Sequence, residues 1–290
     1  MEPRKASKTA EAAVAVRFSH MLYDAPKVFE DALAAKLTNV AWRFICENKI
    51  LYQVIVRGVL GSLRPVHGLI LGRSRYAEDK LEAATREGVS QYLIFGAGFD
   101  TYAFRRASEF RNVAVLEIDH PASQSMKRDR LAGLGMPWPE NLHFVPVDLE
   151  MHSIQEALAR SKFDFTRRCF VAWLGTTFYL SHGAIKETLQ AIAHIGLQGS
   201  ELVFDYLVPE RLVPPSKRSA LAATRRFAAH RGEPILATYS PDEIAFLASL
   251  TGFMVSEDLS SEDLEFRYFL SRTDDLTSMP GSRLVHLRKL

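Results

Sequence analysis

Two glycines and a later aspartate have the types and spacing to hold a nucleoside. Gly96 and Gly98 follow the apolar run Gln91–Phe95, and glycine lets the backbone come close to a ligand. Asp119 follows at the end of the next apolar run, where a carboxylate can accept hydrogen bonds from two ribose hydroxyls. A tight turn without a ligand and a helix N-cap ahead of Pro121 are the structural alternatives. The combined spacing favours a ribose site.

The residue after the glycine turn distinguishes two kinds of cofactor. A dinucleotide site of the pattern G-x-G-x-x-G carries a third glycine so that a helix start can accept a pyrophosphate. Here that position is Thr101. A nucleoside without pyrophosphate does not need the third glycine, so the turn Gly96-Ala97-Gly98 favours S-adenosylmethionine over NAD.

Five apolar runs alternate with helical patterns in the middle of the chain. This alternation predicts βαβ units and an open, mostly parallel α/β sheet. Asp148 and Leu149 end the third run, where a carboxylate and a backbone N–H can meet the adenine ring; a helix cap at Asp148 is the alternative. The predicted strands are residues 91–95, 113–118, 142–147, 169–174 and 201–207.

Helical patterns before the sheet, and a long connection within it, predict a lid. Residues up to about 63 follow a helical period, 65–71 read as a break, and 74–85 resume a helix. We expect one domain over 1–290, with a helical lid at 1–72 and a lid insertion at 209–234. Both should cover the carboxyl edge of the sheet and exclude water.

Two further elements are expected near the C-terminus. The segment Ser240-Pro241-Asp242-Glu243 has the pattern of an N-cap followed by a helix start, so a helix should run to Leu250. Residues 266–270 and 284–287 are expected to form an antiparallel strand pair, with a Pro-Gly turn between them.

Composition narrows the classes of partner. The chain has 290 residues, of which 47% are hydrophobic and 24% charged, and a formal net charge of +2. This balance gives no field that suggests nucleic acid or a membrane surface, so a small-molecule substrate is expected. Cys46 and Cys169 are far apart, so neither a disulfide scaffold nor a metal site is expected. No signal sequence or spanning run is evident, which predicts a cytoplasmic protein; oligomeric state stays open.

Several motifs together resemble the leucine carboxyl methyltransferase family, which includes protein phosphatase 2A methyltransferases and the tetracenomycin O-methyltransferase. The resemblance rests on Q-Y-L-I-F-G-A-G-F-D-T-Y-A-F-R-R at 91–106, L-E-I-D-H-P at 116–121 and R-S-R-Y at 73–76. It implies a seven-stranded Rossmann-like sheet and methyl transfer from S-adenosylmethionine. It also implies that Arg73 pairs with the methionine carboxylate and that Arg17 is a second basic contact.

The chain departs from the phosphatase-directed members after the fourth predicted strand. They carry a glutamate where this chain has Leu174. The amino group of the cofactor would then meet backbone carbonyls near Trp173 and Gly96. Leu174 also keeps open a non-catalytic binding module as an alternative, and an NAD-dependent oxidoreductase is the other alternative.

Whether the reaction needs a general base depends on the pKa of the group that accepts the methyl. A carboxylate is ionised at neutral pH and needs no general base, whereas a phenol with a pKa near 10 benefits from one. His182 and Asp205 are the candidate bases, although either can simply end or begin a secondary-structure element. Tyr179 and Tyr206 are candidates to line the methyl-transfer channel, with aromatic packing as the alternative.

Overall fold

The fold is built around one seven-stranded sheet. The computed structural model describes residues 8–148, 153–230, 234–270 and 272–290. The sheet order is β3-β2-β1-β4-β5-β7-β6, with β1 to β5 parallel and β7 antiparallel to both neighbours. This arrangement confirms the predicted mostly parallel α/β sheet. The strands are Gln91–Phe95 (β1), Ala114–Asp119 (β2), Leu142–Pro146 (β3), Cys169–Trp173 (β4), Glu201–Leu207 (β5), Phe253–Ser260 (β6) and Ser282–Lys289 (β7).

The central strands are apolar because helices cover both faces of the sheet. Every residue of β1, β4 and β5 is buried, which explains why these strands read as continuous rather than alternating apolar runs. The helices are Lys8–Tyr23 (α1), Ala34–Leu37 (α2), Val40–Glu47 (α3), Lys49–Leu51 (α4), Arg64–Arg86 (α5), Tyr102–Arg105 (α6), Pro121–Ala132 (α7), Ile154–Ala159 (α8), His182–Ile195 (α9), Arg218–His230 (α10), Pro241–Leu250 (α11) and Ser261–Tyr268 (α12).

The helix α5 corrects the expected break at 65–71. It begins at Arg64 and runs without interruption to Arg86. Pro65 does not break it because it stands in the first turn, where the backbone N–H has no partner within the helix. The continuity matters for the site, because the whole of α5 becomes one rigid element.

The end of the chain confirms one expectation and corrects another. Ser240 caps α11 through a reciprocal bond pair with Glu243, and α11 ends at Leu250 as predicted. Residues 266–270 do not form a strand. The stretch lies at the end of α12, whose start is fixed by a capping box between Ser260 and Asp263. The partner of β7 is β6 instead.

The segment before the sheet packs onto the loops at its carboxyl edge. On α1, Val14 and Phe18 pack with Phe99, which directly follows the glycine turn. A π-helix at Tyr52–Val59 and a 3-10 turn at Gly61–Leu63 join the first helices to α5, and α10 contacts that turn. In the described ranges, no single helix has the length and apolar composition to cross a bilayer. Two consecutive helical segments, Lys49–Val59 and Gly61–Arg86, reach that length and composition only when they are taken together, and they are bent by 73° relative to each other.

Candidate active site

The strand order creates a crevice between β1 and β4. The chain leaves β1 toward β2 on one side and later adds β4 on the other, so the loops after these two strands diverge. A cavity of about 200 Å³ lies at this point. It is lined by residues 96–100 after β1 and by 174–176 after β4, and also by parts of α1 and α5. Open α/β sheets bind their ligands at such switch points.

The glycine turn holds the carboxylate of Asp119 in the cavity wall. The Gly98 N–H donates to Asp119 Oδ2 at 2.6 Å, and the His120 N–H donates to Oδ1 at 2.6 Å. Burial raises the pKa of Asp119 above its usual value, although these two N–H groups oppose the shift. Each carboxylate oxygen keeps a further lone pair, so Asp119 can still accept two hydroxyl hydrogen bonds.

Both glycines of the turn are required by geometry. Gly96 has a φ of +66° and Gly98 a φ of +49°, a region that other residues rarely adopt. A Cβ on Gly96 would lie 2.8 Å from Thr176 Cγ2, and one on Gly98 would lie 3.1 Å from Ala10 Cβ. The loops after β1 and β4 and the start of α1 therefore close around bare backbone.

Arg73 places a guanidinium on the opposite side of the crevice. Its side chain reaches from α5, and Nη1 donates to Asp205 Oδ2 at 2.8 Å. Asp205 is fully buried and also accepts the Gly175 N–H, at 2.6 Å. A Cβ on Gly175 would lie within 2.7 Å of three guanidinium atoms, so the arginine occupies the space that this glycine leaves. Asp119 ends β2 and Gly175 lies just after β4, and the two strands are two strand spacings or roughly 10 Å apart.

Arg17 connects the N-terminal helix to the glycine turn. It lines the cavity, and its Nη2 donates to the Phe99 carbonyl at 2.6 Å while Nη1 lies 3.0 Å from Asp31 Oδ2. Asp31 also accepts the Thr101 hydroxyl at 2.9 Å. The guanidinium of Arg130 lies 4.5 Å from the ring centroid of Phe99. Both arginines thus fix the segment that follows the glycines.

The cavity fits a nucleoside with an amino-acid tail. It presents a carboxylate for hydroxyl groups, bare backbone along its floor and a guanidinium whose planar fork suits a carboxylate. A pyrophosphate would have to come close to the backbone at position 101, but the Thr101 side chain is buried there and hydrogen-bonded to Asp31. The residues therefore fit S-adenosylmethionine and not a dinucleotide.

Comparisons with known proteins agree with this geometry. The family model described as leucine carboxyl methyltransferase matches residues 10–193. The chain belongs to the leucine carboxyl methyltransferase family. It is a methyltransferase that uses S-adenosylmethionine, as the resemblance of its motifs implied.

Individual relatives extend the similarity over the whole chain. YktD of Bacillus subtilis (strain 168), named as a methyltransferase dependent on S-adenosyl-L-methionine, is 26% identical over the full length of both chains. A protein of the same description from Mycolicibacterium vanbaalenii is 32% identical over 50% of this chain and 48% of its own. The crystal structure of a DUF574 family protein from Streptomyces avermitilis has a TM-score of 0.63 at 12% identity, covering 99% and 98% of the two chains. This last likeness shows the shared fold.

The structure of this methyltransferase brings most of the predicted cofactor residues together. Eight of the predicted site residues line the cavity. They come from α1, α5, the end of β2 and the segments that follow β1 and β4. These are Arg17, Arg73, Gly96, Ala97, Gly98, Asp119, Leu174 and Tyr179. Asp148 is not among the lining residues and lies 3.7 Å from His120 Nε2. Leu149 lies outside the described residues, so its contact with adenine stays a prediction.

Three predicted residues are placed elsewhere. The Trp173 side chain is buried in the core against Phe204, with ring centroids 5.9 Å apart, and Trp173 is not among the residues that line the cavity. Tyr206 alternates to the other face of β5 from Asp205 and donates to Asp258 Oδ2 at 2.6 Å. His182 begins α9 in an exposed position, with its ring packed on Tyr239.

These positions place two of the three expected catalytic residues outside the cavity lining. Neither Tyr206 nor His182 lines the cavity, because one is held in the sheet core and the other starts a surface helix. Asp205 does not line the cavity either, since it is fully buried and paired with Arg73. Of the predicted channel residues, Tyr179 alone lies at the cavity.

Sequence reasoning missed the residues that position Arg73. Gly175 directly follows an apolar strand, which is the same signal that identified Gly96 and Gly98. The roles of Asp205 and Asp31 had no such signal, because each acts through a partner more than 10 positions away in the chain. Only the fold brings these pairs into contact.

Proposed function

We propose that the protein is an O-methyltransferase that methylates a carboxylate of a small molecule in the cytoplasm. The observation that carries this proposal is that the described lining of the cofactor cavity contains no histidine or lysine to serve as a general base. Among the described residues that line it, the acids are Asp100 and Asp119. Asp100 accepts the Tyr102 N–H at 2.8 Å, and Asp119 accepts two N–H groups.

The residues divide into a ribose side and a tail side. Asp119 would accept the ribose hydroxyls, and the backbone at 96–98 would lie beneath the nucleoside. Arg73, oriented by Asp205, would bind the carboxylate of the methionine tail. S-adenosylmethionine supplies a methyl group on a positively charged sulfur that leaves as a neutral thioether. The protein then has to hold the acceptor oxygen in line with that methyl at about 3–3.5 Å and exclude water.

A carboxylate acceptor suits this cavity better than a phenol. A carboxylic acid with a pKa near 4 is ionised at neutral pH, so the displacement needs no proton transfer. A phenol would need a base to reach the same reactivity. Neither of the bases expected for that reaction lines the cavity: His182 begins a surface helix, and Asp205 is bonded to Arg73.

The experiment uses methyl-labelled S-adenosylmethionine with a panel of carboxylic acids and a matched panel of phenols. Methyl esters release labelled methanol in mild base, whereas methyl ethers do not, so one work-up distinguishes the two products. We expect base-labile product only. Base-stable product from the phenols would overturn the carboxylate assignment. Binding of S-adenosylhomocysteine without turnover on either panel would favour a binding module.

A further inference from the structure

A second cavity lies next to the first, beneath the N-terminal helices. Its volume is about 120 Å³, and its walls come from α1, α3, α5, α10 and the segment between α4 and α5. Thr9, Ile70 and Tyr179 line both cavities. We call this second cavity the inner chamber. A molecule in the inner chamber would therefore reach the cofactor cavity past these three residues.

The inner chamber is apolar and uncharged. None of the described side chains that line it belongs to Asp, Glu, Lys or Arg, and most are aliphatic. His67 is the one titratable imidazole in the lining. Burial first, and then the positive charge of Arg64, lower the pKa of His67 to about 4, so the ring is neutral at physiological pH.

The surroundings of His67 fix its tautomer. Arg64 Nη1 lies 3.3 Å from His67 Nδ1, and a guanidinium can only donate, so Nδ1 accepts. The proton of the neutral ring is then on Nε2. Arg64 itself is held by ion pairs with Asp24 and Asp275. His67 therefore offers one N–H donor in a wall that is mostly aliphatic and that also carries hydroxyl side chains at Thr9, Ser19, Tyr179 and Thr224.

One face of α5 connects this donor to the cofactor site. His67, Ile70 and Arg73 are spaced three residues apart and lie along one side of the helix. His67 lines the inner chamber, Ile70 lines both cavities and Arg73 lines the cofactor cavity. The rise from the first to the last of these residues is about 9 Å. The chamber is thus aligned with the methyl-donating site.

The volume limits the size of what the inner chamber holds. A cavity of about 150 Å³ lined by apolar side chains accommodates benzene. The inner chamber, at about 120 Å³, has room for one ring or a short branched chain. Burying a charged body there would be costly, because no described lining side chain carries a charge that could pair with it.

We infer that the inner chamber binds the body of the methyl acceptor, an apolar group of one-ring size that carries a neutral oxygen facing His67 Nε2. The acceptor carboxylate would then project past Ile70 and Tyr179 toward the cofactor. This inference rests on the proposed function and specifies its substrate class as small apolar monocarboxylic acids.

The test measures binding of three acids to the full chain saturated with S-adenosylhomocysteine. Benzoate tests the apolar body, 4-methoxybenzoate adds a neutral oxygen, and glutarate has a similar length but a second charge. Ala12→Phe fills the inner chamber from α1, and Ala228→Phe fills it from α10. Val59→Phe adds the same ring at a position that is 76% exposed and serves as the control.

We expect 4-methoxybenzoate to bind more tightly than benzoate and both to bind far more tightly than glutarate. Either filling variant should weaken both aromatic acids at least tenfold and leave the affinity for S-adenosylhomocysteine within threefold of the parent. His67→Phe should abolish the preference for 4-methoxybenzoate, and His67→Gln, which keeps an N–H donor, should restore part of it. Val59→Phe should behave as the parent.

Several results would overturn the inference. These are tighter binding of glutarate, aromatic-acid binding that survives both filling variants, or no binding of either aromatic acid while S-adenosylhomocysteine binds. In each of these cases the proposed methylation of carboxylates can still hold for other acids. Loss of S-adenosylhomocysteine binding by the parent chain would instead remove the proposed function itself.

Discussion

Arg73 and Asp205 form a buried ion pair, 2.8 Å between Nη1 and Oδ2, that joins α5 to β5 at the edge of the cofactor cavity. Asp205 uses its other oxygen to accept the Gly175 N–H. One carboxylate therefore fixes both the Arg73 side chain and the loop at Gly175, against which the guanidinium packs. The remaining guanidinium donors face the cavity, where a carboxylate ligand would meet a preorganised charge.

Asp205→Asn tests whether this orientation matters. The amide keeps the size of the side chain and can still accept one hydrogen bond, but it loses the charge that holds Arg73. We expect the affinity for S-adenosylhomocysteine to fall about tenfold, or about 1.4 kcal/mol. Asp242→Asn, at the surface start of α11, is the control. Unchanged affinity in calorimetry would show that Arg73 needs no partner to bind its ligand.

Gly175→Ala separates steric conflict from backbone strain. Its Cβ would lie within 2.7 Å of the Arg73 guanidinium, at a residue whose φ is +73°. Gly135→Ala is the matched control, because Gly135 has a φ of +61° and no heavy atom within 4 Å of its Cβ position. Both variants should lose about 1 kcal/mol of stability from strain. Only Gly175→Ala should also lose cofactor affinity.

The measurement for this pair is thermal unfolding together with titration of S-adenosylhomocysteine. An equal loss of affinity in both variants would contradict the steric account. So would an unchanged affinity in Gly175→Ala, since the arginine could then move without consequence.

Asp31→Asn should loosen the N-terminal helix from the glycine turn. Asp31 is fully buried between Arg17 and Thr101, and removing one charge of a buried pair commonly costs about 3–5 kcal/mol. We expect faster amide hydrogen exchange in α1 and weaker cofactor binding. Glu82→Gln, which breaks an exposed pair with Arg86, is the control. Exchange in α1 that matches the parent would contradict this role.

His67 should make the protein sensitive to acid. The unfolded ring has a pKa near 6.5, whereas burial and Arg64 lower the pKa of the folded ring to about 4. Between these values the unfolded state binds the proton and the folded state does not, so the free energy of unfolding falls as the pH falls. The loss attributable to His67 is at most about 3 kcal/mol between pH 6.5 and 4.

The check is denaturant unfolding of the parent and of His67→Phe over this pH range. The variant should lose less stability on acidification, although Asp24 will add its own effect at lower pH. Burial opposes ionisation of Asp24, but hydrogen bonds from His20 and Arg64 outweigh it and lower its pKa to about 2. Equal slopes for the two proteins between pH 6.5 and 4 would contradict the prediction for His67.

The sequence predicted features that depend on neighbouring residues better than features that depend on residues far apart in the chain. The first five strands were predictable, because each is a local run of apolar residues, and the turn at Gly96–Gly98 was predictable from glycines that directly follow such a run. The secondary structure of residues 266–270 was not predictable, since a mostly apolar segment of five residues fits the end of a helix as well as a strand. Asp205 was named for its place at a strand end, but its actual partner, Arg73, depends on tertiary packing. The inner chamber likewise combines N-terminal helices with α10, which lies far later in the chain.

The central claim is that Asp119 and Arg73 together hold the cofactor, and calorimetric titration of S-adenosylhomocysteine tests it most directly. The variants are Asp119→Ala and Arg73→Gln, with Arg75→Gln on the exposed side of the same helix as the control. We expect each of the first two to weaken binding at least about tenfold, and the control to match the parent. Parent-like affinity in Asp119→Ala or Arg73→Gln would contradict the account.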